Sequence, residues 1–120
     1  MAETLARIPP APPASAWVKV VETADAIFYL ALGAIRKDGL VRGTWELQDM
    51  KKRAPDGAMS MRVYAEFDCA QERHRILSVA TYAGPMLGGE ILSDETRLSE
   101  WRPIKPGTAS ASIRRIICEA

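Results

Sequence analysis

Between Met61 and Tyr82 the chain reads MRVYAEFDCAQERHRILSVATY, its most regular stretch. Met61, Val63, Ala65, Phe67 and Cys69 alternate with Ser60, Arg62, Tyr64, Glu66 and Asp68. Side chains of a strand point to opposite faces in turn, so this period of two predicts an antiparallel strand with one dry face and one wet face. On a helix the same apolar residues would scatter around the circumference. Ala70 to Arg73 supply a polar turn, and Arg75 to Tyr82 return as a second strand rich in β-branched and aromatic residues.

The same reading extends along the chain. Trp17 to Glu22 forms a first strand, Thr23 to Asp25 a turn, and Ala26 to Leu32 a second strand. Gly33 to Lys37 is irregular, and Asp38-Gly39 is a tight-turn signal. The strand from Leu40 to Met50 places Val41, Trp45 and Leu47 on one side and Arg42, Thr44, Glu46 and Gln48 on the other. Trp45 is thereby a core anchor whose indole N–H needs an acceptor. Lys51 to Gly57 is a basic loop, and Gly84 to Gly89 an irregular crossing. Glu90 to Ser93 is a last short strand before an acidic stretch from Asp94 to Glu100. Trp101 to Gly107 is extended, because a residue before proline is pushed out of the helical region.

The period changes at the end. Ala109, Ile113, Ile116 and Ile117 share one helical stripe, Thr108 or Ser110 caps it, and Arg114 and Arg115 point away, complementing the helix dipole. The expected fold is α+β: an antiparallel sheet of about six strands with one C-terminal amphipathic helix packed on it. Residues 1–16 hold Pro9, Pro10, Pro12 and Pro13 and are expected to be a proline-rich disordered lead or tether. Residues 17–120 are expected to be a single domain.

Composition narrows the function classes. The chain has 120 residues, 48% hydrophobic and 26% charged, as in an ordinary globular domain. Sixteen basic and fifteen acidic residues give a formal charge of +1, so no global field draws in nucleic acid. No apolar run reaches the roughly 20 residues of a membrane-spanning helix. The N-terminus lacks the charged start, apolar run and small-residue cleavage site of a signal peptide. The chain is therefore expected to be either cytosolic or a mature form with its signal removed.

Candidate chemistry is sparse. His74 is the only histidine, and it lies across a turn from Cys69, which raises a Cys–His nucleophile. Neither an orienting third group nor an oxyanion site accompanies the pair. Gly88-Gly89 is not followed by the Lys-Ser/Thr of a phosphate loop. No catalytic residue, metal ligand or cofactor site is assigned. The two cysteines, Cys69 and Cys118, are 49 residues apart and form no CxxC pair. That spacing leaves open a long-range bridge or two unrelated buried thiols. Lys51, Lys52 and Arg53 are the densest local charge, readable as a solvated loop or as a landing site for an acidic partner.

Taken together these pieces resemble the surface-adhesin protein E-like family of Gram-negative bacteria. The resemblance runs from Trp17 to Cys118. It rests on Trp17-Val18, Ile35 to Gly39, Trp45 to Asp49 with the lysine-rich loop, and Glu66-Phe67-Asp68-Cys69. Arg73, Arg75 and Leu77, Tyr82 to Met86, and Trp101 to Gly107 ahead of Cys118 complete it. The chain departs from the pattern at Tyr29-Leu30, where members often carry Tyr-Asp, making the second strand greasier through a buried or self-associating edge. The resemblance implies a disulfide between Cys69 and Cys118, an exported location in the periplasm or on the outer-membrane surface, and protein binding without catalysis. It further implies a protein partner such as a host matrix or serum protein, and a homodimer. The alternatives are a structural envelope protein without a soluble ligand and a small Cys/His enzyme.

Overall fold

Eight antiparallel strands and one helix are built on the alternation described above. The computed structural model describes residues 7–119. The strands are β1 (Val18–Glu22), β2 (Ala26–Leu30), β3 (Arg36–Asp38), β4 (Val41–Met50), β5 (Ser60–Asp68), β6 (Arg73–Tyr82), β7 (Ile91–Thr96) and β8 (Arg102–Pro103), followed by helix α1 (Ala109–Glu119). The main sheet order is β1-β2-β4-β5-β6-β7; β3 extends the pairing of β4 and β8 that of β6. The sequence reading missed β3 and β8, which are three and two residues long. It also cut β7 short of Thr96 and ran β2 on to Leu32.

The face toward α1 is the one the alternation marked as dry. Val63, Ala65 and Phe67 of β5 pack with Leu30, Ile113 and Ile117 in one buried cluster. Thr108 caps the helix, its Oγ1 accepting the Ala111 N–H at 3.2 Å. Leu30, where the chain departs from the resembled pattern, is fully buried on β2 between β1 and β4. Its greasiness serves the core, and β2 is not an edge.

The opposite face is not wet at its centre. Trp45 pairs with Tyr64 across β4 and β5, so the two share a face, and their rings meet edge-on at 5.3 Å. Tyr64, Glu66 and Asp68, expected to face water, are all buried. Trp45 thus anchors a second cluster with Ala31, Tyr64 and Leu77, against which Ile8 and Trp17 pack. The Trp45 indole finds its acceptor in the Pro9 carbonyl at 3.2 Å. A polyproline-like segment leaves its carbonyls unpaired, which makes them available to such a donor. Of the expected lead, residues 1–6 lie outside the described residues.

This arrangement places Glu46, expected on the wet side of β4, between Leu30 and Val63 on the helix face. It is 7% exposed and accepts a hydrogen bond from the Gln48 amide. Burial pushes its carboxyl up to about 7, against the lowering effect of Gln48. Gly43 has a different constraint: a Cβ there would run into the Tyr64 hydroxyl, so only glycine lets that ring lie flat on β4. No helix among the described residues is long and apolar enough to cross a membrane.

Two outcomes are expected. Gly43→Ala overpacks the second cluster and should cost about 1–3 kcal/mol in denaturant unfolding, part of it recovered by adding Tyr64→Phe, which removes the nearest atom but keeps the ring. For Glu46 the folded value lies above the unfolded 4.5, so its stability contribution is full below that pH and is lost as pH rises through about 7. Glu46→Gln should therefore exceed the parent by up to about 3 kcal/mol near pH 8, the gap closing as pH falls through that window. Parallel stability curves for the two proteins would show that Glu46 does not titrate this way.

Candidate binding surface

The end of the sheet beyond α1 is assembled from the β5–β6 turn and the chain between β7 and α1. Asp68 Oδ1 accepts the N–H groups of Ala70 and Gln71 at 3.1 Å each, which closes the turn. Asp68 also pairs with Arg73 at 3.1 Å, and Glu66 with Arg75 at 2.8 Å and with Arg7 at 2.7 Å. The two arginines of β6, held by these acids, stack on Trp101, their guanidinium carbons 4.7 and 4.3 Å from the ring centre. That fixes the Trp101 segment on the face away from the helix. β8 then pairs with the start of β6, Arg102 opposite His74 and Pro103 opposite Arg73. Pro103 is tolerated because this is an edge. Ile104 donates its N–H to the Glu72 carbonyl and packs into the helix-side core.

Cys69 and Cys118 lock the same end. They form a disulfide with Cα atoms 5.8 Å apart, joining the end of β5 to the last turn of α1. Arg114 reinforces the junction, donating to the Cys69 carbonyl at 2.8 Å. Cys69 therefore presents no thiolate to His74, and the His74 ring lies against Phe67 at 5.5 Å.

On the helix side, α1 leaves β6 and β7 uncovered. A cleft of about 370 Å³ lies there, with Ile76 and Val79 as floor and Ser93, Glu95, Arg97 and Arg102 around it. His74 and Arg102 also line an adjoining hollow of about 420 Å³, walled further by Ile104, Lys105 and Thr108. Arg97 leans toward Glu95 at 3.9 Å. Arg102 and Lys105 are exposed and make no ion pair among the described residues. Burial, and then the charge of Arg102, hold His74 below its ordinary value, so at neutral pH the positive charge here belongs to Arg97, Arg102 and Lys105. No group of His, Cys, Asp and Glu among the described residues is arranged to hold a metal.

The basic loop sits at the other end of β5 and is largely committed to the fold. Lys51 pairs with Glu22 at 2.7 Å, and together Lys19 and Lys51 draw the Glu22 carboxyl down to about 2. Arg53 donates to the carbonyls of Gly57 and Ala83 at 2.8 and 2.9 Å. Only Lys52 of the three makes no ion pair or hydrogen bond of its side chain among the described residues. Sequence reasoning singled out this loop and missed the cleft. The cations of the cleft come from two separate stretches, and the available signal was Arg102 and Lys105, each followed by a proline.

The sequence pattern of surface-adhesin protein E matches residues 17–119. The chain belongs to the surface-adhesin protein E family. The family architecture recurs in crystal form II of Haemophilus influenzae protein E, with a TM-score of 0.65 and 18% identity over 93% of this chain and 96% of that one. A selenomethionine form of Haemophilus influenzae protein E superposes with a TM-score of 0.64 and 19% identity, over 92% and 93% of the two chains. Protein E from non-typeable Haemophilus influenzae gives 0.63 and 18%, over 93% and 81%. At such identities the likeness speaks for the fold alone. Among curated protein sequences none matches the chain. Among the residues on which the resemblance rests, Glu66, Asp68, Arg73, Arg75 and Trp101 are one stacked network, and the two cysteines are one bond.

Replacing both cysteines, Cys69→Ala with Cys118→Ala, opens a 49-residue loop and should cost about 2–4 kcal/mol of unfolding free energy. Amide exchange is expected to rise first in α1, whose last turn the bond holds. Unchanged protection of the helix would mean that packing of Ile113 and Ile117 suffices.

Proposed function

We propose that the chain is a non-enzymatic module of the bacterial envelope surface that binds other proteins. The observation that carries this reading is the family match over residues 17–119. The disulfide supports an exported setting, since such bonds persist in oxidising compartments such as the periplasm and the cell surface. A host matrix or serum protein is the partner class in this reading, and self-association into a homodimer accompanies it. In this reading the basic loop contributes through Lys52, because Lys51 and Arg53 already have intramolecular partners.

Oxidised protein, captured on a sensor, is expected to bind one or more members of a panel of extracellular-matrix and serum proteins saturably. Lys52→Glu should weaken that binding a few-fold and flatten its salt dependence. Protease treatment of intact cells should degrade the protein if it is displayed outward. Absence of saturable binding across the panel would overturn the adhesive reading and leave a structural role in the envelope.

A further inference from the structure

The cleft on the helix face is a built feature that the family assignment leaves without a role. Its floor is apolar, Ile76 and Val79 being half-buried there. One end carries Arg102 and Lys105, two exposed cations with no acid partner among the described residues. The other end carries Glu95, already leaning toward Arg97. The two hollows share His74 and Arg102, so they form one furrow that follows β6 and continues to the start of α1. From His74 to Val79 alone, five residues of strand span about 16 Å. That is longer than one small carboxylate and suits an extended chain, whose alternate side chains point the same way.

We propose that this furrow binds an extended acidic peptide segment of a partner protein, seating an apolar side chain on Ile76 and Val79 and a carboxylate between Arg102 and Lys105. Arginine supplies a fork for the carboxylate and lysine a second point charge. The apolar floor supplies the burial that surface charge pairs lack. The proposal rests on the protein-binding reading above and gives it a site and a partner chemistry. Glu95 of β7 lines the far side and disfavours a second acidic residue there. The recognised pattern is therefore an apolar residue with its acidic neighbour toward the β8 end.

The test uses the oxidised chain and a fluorescein-labelled peptide alternating leucine and glutamate, read by fluorescence anisotropy. The parent protein should bind it, and a leucine–lysine peptide should not bind. Arg102→Glu with Lys105→Glu should weaken binding at least about tenfold. A control with the same change in charge away from the furrow, Lys19→Glu on the opposite edge strand with Arg115→Glu, should retain affinity within about twofold. Both positions of the furrow variant are exposed, so its circular dichroism and melting should match the parent. No binding by the parent, equal loss in the control, or equal displacement by free glutamate would each overturn the proposal. Running the same variants on the matrix and serum panel separates the two ideas. Panel binding that survives the furrow variant discards the furrow and leaves the adhesive reading, whereas peptide binding without any panel binding does the reverse.

Discussion

Two carboxylates on the central strand hold this end of the molecule together. Glu66 and Asp68 are buried, and a buried charge is tolerated only when it is paired and hydrogen-bonded. Their arginine partners on β6 are thereby fixed in rotamer and turned into a platform for Trp101. Once Trp101 is seated, the following chain has one route: beside β6 as β8, inward at Ile104, and into the Thr108 cap of α1. The disulfide then closes the circuit from the other end of the helix. Removing either acid would do more than delete an ion pair, because it would leave guanidinium groups without a counter-charge beside the core.

Much of the architecture was legible from alternation. Apart from β3, the strands from Trp17 to Tyr82 and the isoleucine stripe of α1 follow directly from periods of two and 3.6, since each places a buried face without reference to distant residues. What failed was the assumption that every polar face meets water. Tyr64, Glu66 and Asp68 are polar by type yet buried, because Trp45, Ile8, Trp17 and the arginines come to cover them. Ile8, Trp17 and Trp45 lie far from Tyr64 in the chain and outside any local window, although Arg73 and Arg75 stand only five and nine positions from their acids. Glu46 was misplaced for the same reason: alternation put it opposite Trp45 correctly, but the face opposite Trp45 is the one under the helix.

The candidate site divides in the same manner. The cysteines were conspicuous, yet their spacing alone left a bridge and two unrelated buried thiols equally open; the resemblance implied the bridge, and the structure shows it. Lys51, Lys52 and Arg53 stood out because they are contiguous, and contiguity is a poor guide when two of the three hold the fold. Arg97, Arg102 and Lys105 did not stand out, because only the register of β7 and β8 on β6 brings them to one furrow.

The edge of the sheet has one more consequence. β7 pairs with β6 through Thr96; the chain then loses the regular ladder, Arg97 and Ser99 donating their N–H groups to the Leu77 and Ile76 carbonyls, before β8 resumes the pairing at Arg102. An outer strand that is interrupted and carries Asp94, Glu95 and Arg97 offers no straight row of free amides and carbonyls to a neighbouring copy. Wherever copies meet edge to edge, this interruption limits their growth into fibres.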